Sequence, residues 1–178
     1  MSMDEKLRIV KENIRSYPDF PKKGVLFRDV FSVFSNTQAL KALMDLIVDH
    51  VSSIQSPIDA VIGLESRGFL LGPSIALNLD VPFVPVRKKG KLPGELAEIQ
   101  YKLEYGSDSF EIQRDSLKAG QSVLIVDDLL ATGGTMGAAC QLMDILNVKV
   151  SECFVVIELN DLKGRNNIKY PIHSLIQY

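Results

Sequence analysis

Two adjacent carboxylates and a loop of small residues form the part of this chain that is best suited to chemistry. Asp127 and Asp128 follow the apolar run Val123–Val126, and Gly133 and Gly134 come shortly after them. Glycines let the backbone turn tightly and bring its N–H groups close to a ligand. Because a helix-like segment comes next, its partial positive charge suits the loop to a phosphate. The two acids are then placed to accept hydrogen bonds from the hydroxyls of an attached sugar.

The spacing of these residues differs from that of two common nucleotide-binding motifs. No lysine follows Gly134, so the segment is not a Walker A loop, and its glycines lack the G-x-G-x-x-G spacing. An ordinary strand–turn–helix junction would account for the glycines alone. The apolar strand, the paired acids, the paired glycines and the flanking Thr132 and Thr135 together favour a binding function.

Length and composition exclude several classes of protein. The chain has 178 residues, of which 46% are hydrophobic and 24% charged, and its net charge is −2. These values predict one domain, 1–178, without the basic field of a nucleic-acid binder and without an apolar run of membrane-spanning length. The N-terminus lacks the apolar core of a secretory signal, and Cys140 and Cys153 lie in apolar segments as reduced core residues. We therefore expect a cytoplasmic protein with neither nucleic-acid nor membrane partners.

Strands and helices are predicted to alternate, which indicates an α/β fold with a doubly wound, mostly parallel sheet. Apolar residues at helical spacing, together with turn residues, predict helices at Asp4–Ser16, from a capping box Ser35-x-x-Gln38 onward, at Arg67–Leu79 and at Met136–Leu146. Short apolar runs predict strands at Ile58–Leu64, Val81–Val86, Val123–Val126 and Cys153–Leu159.

The loops after these four strands are expected to meet at one edge of the sheet, where open α/β sheets bind ligands. These loops bring cations or anion-binding backbone to that edge, which suits a polyanionic ligand. They are Glu65–Gly68, Arg87–Lys91, the acids with their glycine loop, and Asn160–Arg165.

The segment Val126–Thr135 resembles the phosphoribosyl pyrophosphate signature of the type I phosphoribosyltransferases. Those enzymes join a nitrogen base to ribose 5-phosphate and expel pyrophosphate. The resemblance implies that Asp127 and Asp128 hold the ribose hydroxyls. It also implies that the 5′-phosphate is wrapped by Ala131, Thr132, Gly133, Gly134 and Thr135.

The same resemblance assigns a pyrophosphate site to the loops after the first two predicted strands. Its residues would be Glu65, Ser66, Arg67, Arg87, Lys88 and Lys91. Arg67 would also assist catalysis, and the Glu65–Ser66 peptide is expected to be cis, as it often is in the family. Taken without the resemblance, Arg67 could be a solvated residue at a helix start and the basic run a solvated turn.

Two further segments are similar to the adenine-specific members of the family. The region 94–113 would be a mobile β-hairpin lid, with Glu104 as the acid–base group and Tyr105 packed over the site, although a plain surface hairpin is the alternative. The segment 1–34 would hold the N-terminal helix and a base-binding hood. Adenine would then contact Leu26, Phe27, Arg28 and Leu159.

The resemblance therefore implies transfer of a phosphoribosyl group from phosphoribosyl pyrophosphate to adenine, giving AMP and pyrophosphate. Mg²⁺ would be the cofactor, held mainly by substrate oxygens and water rather than by side chains, and the enzyme would be a homodimer. Two alternatives stay open at this point. The enzyme could use hypoxanthine, guanine or orotate, or the chain could be a non-catalytic regulator that senses nucleotides.

Overall fold

The computed structural model describes residues 1–102 and 107–178, and the chain forms two compact units, Met1–Ser53 and Ile54–Tyr178. The first unit contains three helices and a two-stranded antiparallel sheet. The described part of the second contains two α-helices and a seven-stranded sheet. Within the two described ranges, no helix combines the length and the apolar character that crossing a bilayer requires.

The first helix, α1, spans Met3–Asn13 and is shorter than predicted. Its predicted end at Ser16 is wrong, because Arg15–Pro18 forms strand β1, which pairs antiparallel with β2, Leu26–Asp29. The hydroxyl of Ser32 accepts a hydrogen bond from the first amide of β1 at 2.9 Å. This bond and the pairing with β2 replace the intrahelical bonds that a longer helix would have made.

Two more helices complete the first unit, α2 at Phe31–Phe34 and α3 at Thr37–Val51. The side chain of Asn36 accepts hydrogen bonds from the second and third amides of α3 at 3.0 and 3.1 Å. Asn36 is therefore the cap, and the predicted capping box at Ser35 is wrong by one residue. The Ser35 hydroxyl is already engaged, since it donates to the carbonyl of Ser32 in the preceding turn at 2.9 Å.

The second unit is organised around one sheet. Its strands are β3 (Ala60–Leu64), β4 (Phe83–Lys88), β5 (Leu96–Lys102), β6 (Ser107–Gln113), β7 (Ser122–Leu130), β8 (Lys149–Glu158) and β9 (Ile172–Gln177). They lie in the order β5-β6-β4-β3-β7-β8-β9, and the last five in this order run parallel. The predicted α/β fold with a mostly parallel sheet is thus confirmed. Because β4, β3, β7 and β8 are parallel neighbours, the loops after them do share one edge.

Helices α4 (Gly68–Leu79) and α5 (Gly134–Ile145) connect β3 to β4 and β7 to β8. α4 continues through Pro73. The ring of Phe83 packs against Gly63 of β3 and Gly72 of α4, because neither residue has a side chain. A Cβ at these two glycines would lie 2.5 and 2.3 Å from that ring. The two glycines therefore let α4 approach the sheet closely.

The segment predicted as a lid, 94–113, contains β5 and β6. These strands pair antiparallel with each other, and β6 also pairs antiparallel with β4 through Arg87↔Glu111 and Lys88↔Phe110. The hairpin is thus continuous with the main sheet. Strand β9, which pairs with β8, was not predicted. Its residues are mostly half-buried, and its short sequence lacks a clear alternation of apolar and polar residues.

Candidate active site

The paired acids lie inside strand β7 rather than after it. β7 continues past its predicted end at Val126 as far as Leu130, so Asp127 and Asp128 are strand residues, only 9% and 4% exposed. The amide of Asp128 donates to Oδ1 of Asp127 at 2.9 Å. Nε of Arg67 lies 2.8 Å from Oδ2 of Asp128. The two acids are therefore fixed in orientation, and one of them is joined to the start of α4.

Burial is the largest influence on the pKa values of Asp127 and Asp128. It raises the pKa of Asp127 well above its usual range, and the neighbouring charge of Asp128 raises it further. Burial also raises the pKa of Asp128, although the guanidinium of Arg67 opposes that rise. A carboxylate whose charge is poorly solvated gains most from ligand groups that donate hydrogen bonds to it. Asp127 thus has the character expected for an acceptor of sugar hydroxyls.

The loop that follows, Ala131–Thr135, is called here the phosphate loop. Gly133 has a φ of 84°, and α5 begins at the next residue. The carbonyl of Gly133 accepts a hydrogen bond from the amide of Gly137 at 2.8 Å, which closes the first turn of the helix. The first amides of α5 are left without intrahelical partners, so they and the helix dipole suit an anion at this position.

The phosphate loop is contacted by the segment after β8, a contact that the sequence did not predict. A Cβ on Gly133 would lie 2.4 Å from the carbonyl oxygen of Gly164, and a Cβ on Gly164 would lie 2.1 Å from that of Ala131. The side chain of Asn167 donates to the carbonyl of Thr132 at 2.7 Å. The loop after β8, predicted only as part of the same edge, therefore packs directly against the phosphate loop and restrains its conformation.

The Glu65–Ser66 peptide is cis, as the resemblance implied. The carboxylate of Glu65 accepts from Nε and Nη2 of Arg87 at 3.2 and 3.4 Å, and from the amide of Lys88 at 2.9 Å. Burial alone would raise the pKa of Glu65, but these hydrogen bonds and the positive charge of Arg87 lower it. Glu65 is thus an ionised anchor that orients Arg87, while Ser66 is exposed.

The basic run Arg87–Lys91 begins with the last two residues of β4 and continues into a turn; the whole run is called here the basic turn. Nζ of Lys88 pairs with Asp108 at 2.8 Å and Nζ of Lys89 with Glu98 at 2.7 Å. The backbone of the turn is bound by Glu111, a residue that sequence reasoning missed. This side chain is 2% exposed and accepts hydrogen bonds from three successive amides. No local signal could have found it, because the alternation of β6 places Glu111 on the face opposite Phe110 and Ile112, where a sequence pattern predicts an exposed side chain.

A cleft of about 400 Å³ borders the phosphate loop. Residues from β5, the phosphate loop and the segment after β8 line it, among them Gln100, Tyr101, Thr132 and Asn167. Burial raises the pKa of Tyr101 to about 12, although a hydrogen bond with Thr135 opposes the rise. Tyr101 is therefore a neutral hydroxyl at physiological pH and links the hairpin to the phosphate loop.

The residues predicted to bind the base occupy two places. Leu26, Phe27 and Arg28 lie on β2, where Leu26 is 48% exposed and the ring of Phe27 packs edge-on against Phe20 with centroids 5.1 Å apart. Arg28 donates to the hydroxyl of Ser16 at 2.6 Å. In the second unit, Leu159 follows β8 and is half-buried. Three of these residues thus belong to the first unit and Leu159 to the second, so their joint role in binding the base stays a prediction.

Two predicted catalytic residues, Glu104 and Tyr105, lie outside the described residues. Arg67, the third, is beside Asp128. Over residues 1–102 and 107–178, no group of three or more His, Cys, Asp and Glu side chains is arranged to hold a metal ion.

Comparison with known proteins places these features in a family context. Residues 30–176 match the phosphoribosyl transferase domain. The chain is 48% identical to the adenine phosphoribosyltransferase of Homo sapiens over 177 residues, covering 98% of each sequence.

Two solved structures are similar to it along almost its whole length. One is adenine phosphoribosyltransferase from Saccharomyces cerevisiae in complex with D-2,5-dideoxy-2,5-imino-altritol 1,6-bisphosphate and adenine. It has a TM-score of 0.93 and 44% identity, and the match covers 97% of this chain and 99% of that one. The other, from Trypanosoma brucei, is in complex with AMP, pyrophosphate and ribose-5-phosphate. It has a TM-score of 0.87 and 29% identity over 98% of this chain and 79% of that one.

Proposed function

This chain belongs to the phosphoribosyltransferase family, and from that premise we propose that it transfers the 5-phosphoribosyl group of phosphoribosyl pyrophosphate to adenine. The products are AMP and pyrophosphate, as in purine salvage. The observation that carries the proposal is the match over nearly the full chain to adenine phosphoribosyltransferases. The geometry of β7 and the phosphate loop supports it, since buried acids precede an anion-binding turn.

The direct test is turnover with phosphoribosyl pyrophosphate and adenine, hypoxanthine, guanine or orotate in parallel. AMP formation with adenine, together with turnover of the other bases that is lower by orders of magnitude, is the expected result. Preference for another base would reassign the substrate. Nucleotide binding without turnover of any base would identify a regulator instead.

In the proposed mechanism, the phosphate loop binds the 5′-phosphate through its amides and through the hydroxyls of Thr132 and Thr135. Asp127 and Asp128 accept hydrogen bonds from the ribose hydroxyls and face the positive charge that develops on the sugar as pyrophosphate departs. Because Arg67 spans from Asp128 toward the cis peptide, it links the sugar site to the leaving group. These contacts hold the anomeric carbon in place for attack by an adenine nitrogen.

The leaving group is proposed to bind at the loops after β3 and β4. Ser66 and Arg67 immediately precede the first turn of α4, where free amides suit an anion, and Arg87 and Lys91 belong to the basic turn. Glu65 restrains Arg87 through the two hydrogen bonds described above, so this guanidinium is preorganised. Lys88 contributes positive charge, although its ammonium is paired with Asp108.

We propose Mg²⁺ as the cofactor. The residues fit an ion that arrives with its substrate, because Mg²⁺ keeps several waters and usually binds one or two carboxylates plus phosphate oxygens. The ion would be held mainly by substrate oxygens and water, and Asp127 and Asp128 would lie beside it at the proposed sugar site without binding it directly. When bound, the ion neutralises charge on the departing pyrophosphate.

Glu104 is proposed to manage the purine proton, and Tyr105 to cover the site, on the basis of the resemblance. Replacing Glu104 with glutamine removes the titrating group and keeps its size, so kcat should fall about 10²-fold or more while AMP affinity changes little. Steady-state kinetics and calorimetric titration with AMP measure the two quantities. Unchanged kcat would contradict the acid–base role.

Phe27 is proposed to stack on adenine, with Leu26 offering backbone hydrogen bonds, Arg28 beside the base and Leu159 as an apolar contact. Phe27→Ala should raise the KM for adenine about tenfold, because losing an aromatic contact costs on the order of 0.5–1.5 kcal/mol in addition to the lost buried area. The KM for phosphoribosyl pyrophosphate should stay constant. Phe31→Ala, which removes a ring of the same unit that is 50% exposed, is the control and should leave both KM values unchanged.

A homodimer in the cytoplasm is also proposed, on family resemblance. Both cysteines are buried free thiols, a state typical of reducing compartments. Sedimentation equilibrium gives the oligomeric state, and a mass equal to one chain at micromolar concentration would contradict the dimer.

A further inference from the structure

Glu111 is a buried glutamate whose two carboxylate oxygens accept hydrogen bonds from the backbone at and just after the basic turn. Its Oε2 accepts from the amide of Gly90 at 3.0 Å. Its Oε1 accepts from the amides of Lys91 and Leu92 at 2.8 and 2.7 Å. Successive amides of this kind form a concave site that binds anions. In this protein the chain itself fills that site, so these three amides are already occupied when a ligand arrives.

The peptide groups around Lys91 are held from both sides. The amide of Lys91 donates to Oε1 of Glu111, and the carbonyl of Lys91 accepts from Nη1 of Arg87 at 3.4 Å. The turn is closed by Gly90, which has a φ of 79° and open space around its Cα. The Lys91 ammonium makes no ion pair with any residue in the described ranges. The backbone of Lys91 is therefore fixed, while its charge remains available.

The position of Glu111 in the sheet makes it a rigid anchor. It lies on β6 opposite Arg87 of β4 and opposite Glu98 of β5, and β6 is hydrogen-bonded on both sides there. Its carboxylate is shielded from water, so each hydrogen bond to it is stronger than one at the surface. Burial alone would raise the pKa of Glu111, but the three amides lower it, so the anchor is ionised at neutral pH.

We propose that Glu111 is a positioning residue for the leaving group: by holding the backbone of Gly90–Leu92, it aims the side chain of Lys91 at the pyrophosphate. This inference rests on the proposed function, because the anion that Lys91 meets is the diphosphate of the substrate. Glu111 itself does not touch the ligand. Its contribution is to reduce the freedom of a flexible lysine before binding, which increases affinity without a new contact.

The test replaces Glu111 with glutamine, which keeps the shape but removes the charge and turns one acceptor into a donor facing an amide. Glu98→Gln is the matched control. Glu98 lies at the opposing position of the same hairpin, and among the described residues its carboxylate binds only Nζ of Lys89. Calorimetric titrations of both variants and the wild-type protein with Mg²⁺-pyrophosphate and, separately, with AMP give the affinities.

The expected result for Glu111→Gln is a pyrophosphate affinity lower by about tenfold, as the loss of a charge-assisted hydrogen bond implies. AMP affinity should be unchanged, and Glu98→Gln should behave as the wild type in both titrations. Unchanged pyrophosphate affinity would overturn the proposal. An equal loss for AMP would also overturn it, because that pattern shows a general structural role. If the wild-type protein bound neither ligand, the proposed function itself would fall, and with it this role for Glu111.

A double-mutant cycle separates an effect through Lys91 from any other. If Glu111 acts by aiming this lysine, Glu111→Gln should weaken pyrophosphate binding much less in a Lys91→Ala background than in the wild type. Additive losses would overturn the proposal, since they would mean that the two residues contribute independently.

Discussion

Gly133→Ala is expected to lower kcat/KM for phosphoribosyl pyrophosphate about 10²- to 10³-fold, the range seen when preorganised donors to a reacting anion are lost. Gly133 has a φ of 84°, and an added Cβ would lie 2.4 Å from the carbonyl oxygen of Gly164. The backbone must shift to relieve that clash, and the amides that would bind the 5′-phosphate shift with it. Stability should fall too, by about 1–2 kcal/mol for a left-handed residue with a side chain. Steady-state kinetics and urea denaturation measure the two effects.

Gly137→Ala is the matched control for this variant. A Cβ at Gly137 would make only an ordinary contact, 3.5 Å from the carbonyl oxygen of Asn167, and this residue lies within α5, where alanine is the better helix former. Kinetics and stability close to those of the wild type are expected. Gly164→Ala, by contrast, should resemble Gly133→Ala, since its Cβ would lie 2.1 Å from the carbonyl oxygen of Ala131. Full activity in Gly133→Ala would show that the loop does not bind the phosphate through its backbone.

Asp127→Asn is expected to separate activity from stability. As the proposed acceptor of a ribose hydroxyl, the carboxylate forms a charge-assisted hydrogen bond, so its loss should lower kcat/KM about 10- to 100-fold. Without ligand, the same change should stabilise the fold at neutral pH, because burial and Asp128 raise the pKa of Asp127 and so oppose its ionisation. A Tm higher by at least about 2 °C is expected. Differential scanning calorimetry of the ligand-free protein measures it.

The change in stability caused by Asp127→Asn is expected to depend on pH. The unfolded chain releases the proton of Asp127 near pH 3.9 and the folded chain only at higher pH, so ionisation opposes folding as the pH rises through that window. Below it both states are protonated and the gain from asparagine should vanish. Asp144→Asn should show the opposite sign. Burial would raise the pKa of Asp144, but Lys169 and Tyr170 hold it low, so neutral-pH stability should fall. A lower Tm in both variants would contradict the unfavourable charge assigned to Asp127.

The edge that carries the candidate site could be predicted from sequence because its strands are short apolar runs followed at once by polar or glycine-rich loops. Val123–Val126 shows this pattern, and the parallel order of the strands then brings Glu65, Arg87 and Asp127 to one edge. Such signals are local in sequence. The end of β7 was placed too early because two acidic residues interrupt the apolar run, whereas pairing with β8 carries the strand through them.

Contacts between distant segments could not be predicted in this way. Nothing in the residues around Asn167 indicates that its side chain binds Thr132, and nothing around Glu111 indicates that it caps the amides of the basic turn. Both depend on which strands become neighbours, which a local pattern does not contain. The helix cap at Asn36 failed for a related reason, since its rival Ser35 was engaged by the preceding turn.

The packing of Gly133 against Gly164 also bears on how the protein is made. Synthesis proceeds from the N-terminus, so the complete signature of acids, glycines and threonines leaves the ribosome before the residues that support its turn. A nascent chain that ends ahead of Gly164 contains every group of the phosphate loop and lacks the surface that shapes it. The proposed phosphate site is therefore complete only after the segment that follows β8 has been synthesised.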